Sequence, residues 1–276
     1  MLIVQKYTTD DGSWGLGDFI RGIYFLHQFC RRKNHQLIID MSQHIVGRFV
    51  GKEPKIPYPN QKPVRYECHK QGKERFLLDA EAAIERGESC MVIGCNIWPN
   101  TPIDDTTRYY VRETIQPKEE FAKEINRFLG FLPPDYKVVH LRSGDSNLEK
   151  NYAAIPGLFP PTKNENLNEK RLSVLYNEII KGGCLPKETL FVSDSQVAEA
   201  WFKEKWFMTV PGTPKHSALY EDAENTKRNL LCFFGLGRAA KVLQYSVYGW
   251  GSGFSKWITE TYKVPLAVKP LPWMKT

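Results

Sequence analysis

Between residues 137 and 245 the hydrophobic period of this chain switches repeatedly between two and about 3.6, and that switching leaves few folds open. Short apolar runs at 137–141, 189–193, 207–210 and 241–245 read as strands, and amphipathic stretches at 168–181, 196–205 and 223–240 read as helices between them. Strands joined by helices pair in parallel, carry helices on both faces of the sheet, and present ligands beyond their C-terminal ends. The first half follows a similar plan, with a strand at 2–8, a helix at 18–33, a strand at 36–40, a further apolar piece at 91–94 and a helix at 118–129. In the first helix Phe19, Ile23, Leu26 and Cys30 recur at helical spacing. Pro133-Pro134 breaks the pattern, so the expected organisation is an α/β chain of two domains, 1–132 and 133–276.

The polar residues at these strand ends point to phosphate chemistry. Tyr136-Lys-Val-Val-His-Leu-Arg-Ser-Gly-Asp145 ends an apolar strand on His140, Arg142 and Asp145. Alternation puts His140 and Arg142 on one face and Leu141 on the other. A guanidinium held at a strand end can clasp two phosphate oxygens, whereas the plainer alternative is an Arg–Asp pair that only closes the turn. Near the C-terminus, Gly249-Trp-Gly-Ser-Gly-Phe-Ser255 separates a strand from a helix at 254–262. Free backbone N–H groups, serine hydroxyls and a helix N-terminus suit a diphosphate, although such a loop also serves as a simple connection. Asp194 lies at another strand end, placed to meet a nucleoside or to cap the next helix.

A third glycine-rich loop, Asp10-Asp-Gly-Ser-Trp-Gly-Leu-Gly-Asp18, lies between the first strand and first helix. Gly15, Gly17 and Gly22 do not fit the Gly-x-Gly-x-x-Gly spacing of a dinucleotide fold, which argues against a nicotinamide-dependent oxidoreductase. Asp18 has two open roles, a catalytic carboxylate or an ordinary helix N-cap.

In order and rough spacing these segments resemble the fucosyltransferase superfamily that includes the rhizobial nodulation fucosyltransferase, the α1,6- and α1,2-fucosyltransferases and the protein O-fucosyltransferases. The elements that carry the resemblance are Gly15-Leu-Gly-Asp18, His140-Leu-Arg-Ser-Gly-Asp145 and Ser252-Gly-Phe-Ser255. The resemblance implies a GT-B fold, in which two Rossmann-like domains face each other across a cleft, the first on the acceptor side and the second holding the donor. It implies that Arg142 binds the donor β-phosphate, that His140 lies near the nucleoside, and that Ser252, Gly253, Phe254 and Ser255 form the phosphate loop. Gly15, Gly17 and Asp194 join the donor-binding set, and Arg142 with Asp18 the catalytic one. Relatives often carry an Asp before the last strand that recognises guanine, and Cys232 stands in that place here. A thiol cannot supply an ionised acceptor for guanine's two N–H groups. GDP-fucose and a UDP-sugar such as UDP-xylose therefore both stand as donors, and a catalytically inactive binding module is the non-enzymatic alternative.

The remaining features narrow the partners. Many transferases hold a metal on the diphosphate with Asp-x-Asp, a pattern absent from this sequence, so no metal or other cofactor is expected. The formal charge of +7 suits an anionic ligand, but the basic residues are dispersed and form no nucleic-acid module. The expected partners are a nucleotide sugar and an oligosaccharide or glycoconjugate acceptor. No apolar run reaches the ~20 residues of a membrane span, and the N-terminus lacks a signal-type core, so the expected compartment is the cytoplasm. Six dispersed cysteines suggest reduced thiols. The long stretch 147–166, with Tyr152 and Phe159, is a candidate acceptor loop; His216, Asp222 and Trp250 are weaker candidates.

Overall fold

The computed structural model describes residues 1–8, 14–100, 102–144, 167–214, 222–248 and 251–274. The chain divides into two compact units, Met1–Ala122 and Lys123–Thr276, each built on one parallel sheet. The first contains β1 (Leu2–Lys6), α1 (Leu16–Lys33), β2 (Gln36–Asp40), β3 (Val64–Tyr66), α2 (Lys70–Glu85), β4 (Cys90–Cys95) and α3 (Asp105–Thr114). The second contains β5 (Lys137–Arg142), α5 (Glu169–Lys181), β6 (Thr189–Ser193), α6 (Gln196–Glu204), β7 (Met208–Thr209), α7 (Ala223–Gly237), β8 (Lys241–Ser246), α8 (Gly253–Tyr262) and β9 (Leu266–Pro270). Between these sets α4 (Glu119–Gly130) crosses the division, ahead of Pro133-Pro134.

Strand order is β2-β1-β4-β3 in the first sheet and β7-β6-β5-β8-β9 in the second, and all pairings are parallel. The expected α/β fold with parallel sheets is therefore the one that forms. In the first unit, Ile3, Phe25, Leu26, Phe29, Phe76 and Ile93 share a buried core. Gly22 lets α1 press against β4, since a Cβ there would stand 1.8 Å from the Cys95 carbonyl oxygen. In the second unit, Val139 and Leu141 of β5 join Leu172, Leu175 and Ile179 of α5 and Phe191 and Phe202 in one cluster. Phe191 and Phe202 stack with centroids 4.0 Å apart. Burying each such side chain is worth about 1.5–3 kcal/mol, so the odd positions of β5 anchor the strand and its even positions, His140 and Arg142, are left to do other work.

Local expectations fail where tertiary contacts outweigh pattern. α1 starts at Leu16 rather than 18, with Gly15 as its N-cap, so Asp18 sits inside the first turn and does not cap the helix. The strand expected at 207–210 shortens to Met208–Thr209, at the sheet edge. β3, α2, α3 and β9 were not anticipated: three strand residues and a helix with a weakly sided face leave little periodic signal, and β9 has no fully buried residue. All six cysteines are free.

Candidate donor-binding site

Register builds the site in the second unit. Leu141 on β5 pairs with Ser193 on β6, so Arg142 and Asp194 emerge side by side one residue further on. Arg142 Nη1 donates to Asp194 Oδ2 at 2.5 Å. Asp194 also accepts from the Ser143 backbone N–H (2.8 Å), the Ser143 hydroxyl (2.6 Å) and the Gly144 N–H (3.3 Å). Gly144 makes this approach possible through its φ of 104°, a conformation that other residues rarely adopt. Hydrogen bonds to a charged group contribute about 1.5–3 kcal/mol each, and here they fix the turn and the direction of the guanidinium together. The Arg142 guanidinium carbon also lies 5.7 Å from the centre of the Tyr248 ring.

His140 ties β5 to the start of α8. Its Nδ1 is 3.0 Å from the Ser255 hydroxyl, and its ring meets Phe254 edge-on at 6.2 Å. Burial lowers the imidazole pKa to about 4; Asp194 pulls it up and Arg142 pushes it down. The ring is neutral near pH 7, so it has one donor and one acceptor nitrogen. Ser252 is the N-cap of α8 with extended backbone angles, and its side chain makes no cap hydrogen bond. Its hydroxyl and the first N–H groups of α8 are the kind of donors that hold an anion. Beneath the loop, Gly251 adopts φ 81°, and a Cβ there would lie 2.9 Å from Gln244 Oε1. Gln244 is fully buried, with both amide atoms unpartnered.

A second charged pair braces this site from behind. Glu199 of α6 pairs with Arg228 of α7, both almost wholly buried, and Glu199 Oε1 also accepts the Ser193 N–H at 3.1 Å. Arg228 Nε donates to the Gly212 carbonyl at 3.2 Å, and its Nη1 lies 3.9 Å from Cys232 Sγ. Burial pushes the Cys232 thiol up to about 11, with Arg228 opposing, so it stays protonated. Cys232 thus packs into α7 beside Arg228.

Of the sequence candidates, His140, Arg142, Asp194, Phe254 and Ser255 come together in one constellation, with Ser252 and Gly253 opening α8. Asp194, expected to meet a nucleoside or to cap the next helix, instead holds Arg142. Helix capping falls to Ser195, whose side chain accepts the Ala198 N–H. Asp145, Gly249, Trp250, His216 and the candidate acceptor loop with Tyr152 and Phe159 lie outside the described residues. Asp222 caps α7. Gly15, Gly17 and Asp18 belong to the first unit. There Asp18, with 40% of its side chain exposed, pairs with Arg21 at 3.0 Å. Arg21 is itself held by the Asn96 carbonyl at 2.6 Å and lies 4.6 Å from the centre of the Trp98 ring. Sequence reasoning missed Tyr248, Glu199, Arg228, Gln244 and Arg21. Four of these sit inside helices or strands where no motif marks them, and Tyr248 lies just ahead of the glycine-rich loop that begins at Gly249.

Fold and strand-end geometry together define a two-unit α/β protein of the GT-B type. No protein-family model and no curated protein matches the sequence. Solved structures that it resembles include fucosyltransferases. A NodZ α-1,6-fucosyltransferase soaked with GDP-fucose superposes with a TM-score of 0.58 at 16% identity, over 96% of this chain and 93% of that one. NodZ from Bradyrhizobium gives 0.55 at 13% identity, over 93% and 91%. Arabidopsis thaliana FUT1 in complex with GDP gives 0.58 at 10% identity, over 97% and 69%. These similarities establish the fold that the sequence motifs implied. Among the described residues no helix is long and apolar enough to cross a membrane.

Proposed function

We propose that this chain is a nucleotide-sugar-dependent glycosyltransferase that moves a sugar, fucose from GDP-fucose in the favoured form, to a hydroxyl of a glycan, without a metal and with inversion. The observation that carries the reading is Arg142, fixed by Asp194 at the end of β5 and linked through His140 to the start of α8. Transfer releases a nucleoside diphosphate, and negative charge grows on its β-phosphate as the glycosidic bond breaks. A guanidinium already oriented by a carboxylate needs no reorganisation to meet that charge, and the α8 N–H groups and Ser252 hydroxyl add fixed dipoles. These groups supply the positive field that a metal provides elsewhere. His140 offers a neutral ring to the nucleoside side of the site. Asp18 is the proposed base, accepting the acceptor proton as its oxygen attacks the face opposite the leaving group, which inverts the anomeric centre.

Cys232 favours a second reading in which the donor is a UDP-sugar such as UDP-xylose. No ionised acceptor stands at that point of α7 to pair with guanine, and a base N–H left unpaired costs about 1–3 kcal/mol. A thermal-shift screen with GDP, UDP and their sugars, followed by single-turnover transfer, tests the function. A melting shift with one nucleotide, and turnover that persists in EDTA, is the expected result. Turnover that is lost in chelator and restored by manganese would overturn the metal-free mechanism, and nucleotide binding without turnover would leave a binding module.

A further inference from the structure

In the second unit the proposed donor site occupies the end of the sheet where the strands finish. The opposite end, where the chain enters the strands, has a surface of another kind. Phe131 precedes β5, Leu185 precedes β6 and Trp206 precedes β7, three adjacent strands, and these residues are 77%, 44% and 71% exposed. Phe131 and Trp206 are the two most exposed large hydrophobic residues among those described. We propose that this end of the second unit is a docking surface for an anionic lipid bilayer, with the aromatic rings seated at headgroup depth and the surrounding cations held by lipid charge. The inference does not rest on the glycosyltransferase reading.

Backbone geometry holds the apolar groups in place. The Lys187 N–H donates to the Trp206 carbonyl at 2.8 Å, which ties the entries of β6 and β7 together. Lys187 and Trp206 both adopt positive φ, 65° and 66°, a conformation unfavourable for residues with a Cβ. Lys187 Nζ lies 5.4 Å from the centre of the Trp206 ring. The next residue, Phe207, is buried with its ring 5.2 Å from that of Phe202. The bend therefore buries one aromatic ring and leaves a larger one in water. Single exposed hydrophobic residues scattered over a surface are ordinary; three at the entries of three adjacent strands form a patch of the kind that marks an interaction site.

Charge selects the partner. Lys181, Lys187, Lys203, Lys205, Arg238 and Lys241 are all exposed at this end of the sheet. Asp135, Glu188 and Glu204 stand among them, and Glu178 pairs with Lys181 at 3.5 Å, so cations remain in excess. Helix dipoles account for part of this, because α5, α6 and α7 end here and Lys181, Lys203 and Arg238 suit their negative ends. They do not account for Lys187, which precedes a strand, or for Lys241, which opens β8 directly beside Lys137 of β5. Like charges side by side weaken a sheet. Cations around exposed indole and phenyl rings match a bilayer interface, where anionic headgroups meet the charges and the rings lie among the headgroups. Single apolar side chains on separate loops, each with cations close by, suit that fluid surface more than a protein interface, whose core is depleted of charge. Docked this way, the chain keeps Arg142, at the far end of β5, turned to water.

The test is co-sedimentation of the full chain with vesicles of phosphatidylcholine alone and of phosphatidylcholine mixed with phosphatidylserine. Binding is expected only to the mixed vesicles, and it should be lost at about 1 M salt, where the Debye length shrinks to about 3 Å. Trp206→Asn, a residue that accepts the left-handed backbone, combined with Phe131→Ser should weaken binding at least about fivefold. Lys203→Glu with Lys241→Glu should weaken it at least about tenfold. Lys33→Glu with Lys70→Glu changes the net charge equally but lies in the first unit, and should leave binding within about twofold of wild type. All six positions are exposed, so melting temperatures should stay near that of wild type. No binding to either vesicle, equal binding to both, or equal weakening by the two charge-reversal pairs would overturn the proposal. A dimer that depends on Trp206 in sedimentation velocity, without vesicle binding, would also overturn it and assign the face to a second copy of the chain.

Discussion

Each unit ends two neighbouring parallel strands on a cation and a carboxylate, and each treats the pair differently. In the second unit Arg142 and Asp194 bond directly, and the carboxylate is saturated by the turn that follows β5. In the first, Lys6 and Asp40 lie in register, but each turns to the segment after β2, the lysine to Asn60 and Gln61 and the aspartate to Tyr58. The direct pair closes its turn and aims a guanidinium; the divided pair leaves a cavity with both charges on its floor. Similar strand-end chemistry therefore produces a direct ion pair in one unit and an open hollow lined by Lys6, Asp40 and Glu53 in the other, and the difference lies in the loop.

The largest effect that can break this contrast is on transfer. Arg142→Ala should lower turnover by at least about a thousandfold, because it removes a charge-assisted contact that strengthens as leaving-group charge develops, while circular dichroism stays native. Arg142→Lys should recover little, since an ammonium cannot reproduce the planar fork. A folded, fully active Arg142→Ala protein would remove the distinction between the two strand ends.

Next in size is the brace behind the second site. Arg228→Met leaves Glu199 buried and uncompensated, and breaking such a pair costs about 3–5 kcal/mol. Chemical denaturation should show the second unit losing stability, whereas the double change to Met at Arg228 and Gln at Glu199 should restore part of it. A single variant as stable as wild type would mean that the pair does not support Asp194 and β6.

Acid sharpens the comparison from another side. His27 and His44 in the first unit and His140 in the second each have a pKa lowered by burial from about 6.5 to about 4. The unfolded chain takes up these protons first as pH falls, so the stability is complete above about pH 6.5 and lost progressively toward pH 4. Each contributes on the order of 3 kcal/mol. Melting temperature should fall over that window, and His140→Gln should flatten the dependence of the second unit without altering that of the first. An unchanged slope in His140→Gln would show that this ring is not the buried neutral group described.

The smallest expected effect is at Cys232. Cys232→Ala should leave the GDP and UDP melting shifts in the same order as wild type, because the thiol is buried against Arg228. A reversal of nucleotide preference would return Cys232 to the base-recognition role suggested by its place in the sequence.

The second site was largely legible in sequence because its parts are local. His140 and Arg142 alternate on a short apolar strand, and Ser252 to Ser255 open a helix after a glycine-rich loop. What could not be read was pairing across sequence. Nothing local to Arg142 announced that Asp194, 52 positions later at the end of a neighbouring strand, would bond to it. That Lys6 and Asp40 would lie side by side was hidden for the same reason, since each is a single charge closing an apolar run. Register brings them together, and composition carries no record of it. Most helices were found, whereas α2 is weakly sided, α3 is polar over most of its length, and β3 and β9, short or poorly buried, carried almost no alternation to detect.

The parallel pairing also sets an order of assembly. β1 gains its second neighbour only when β4 is available, since Leu2 pairs with Cys90, and the last β3–β4 pair, Tyr66 with Cys95, closes that sheet. The first unit is complete by Ala122, so on a ribosome it can fold while the rest is still being made. β5 has a longer wait, because Lys137 pairs with Lys241 and β8 in turn with β9. Sheets closed by such distant contacts fold slowly, and the central strand that carries His140 and Arg142 keeps one edge exposed until nearly the whole chain has been synthesised. The strand that carries the proposed donor site is thus among the last in the chain to gain both of its neighbours.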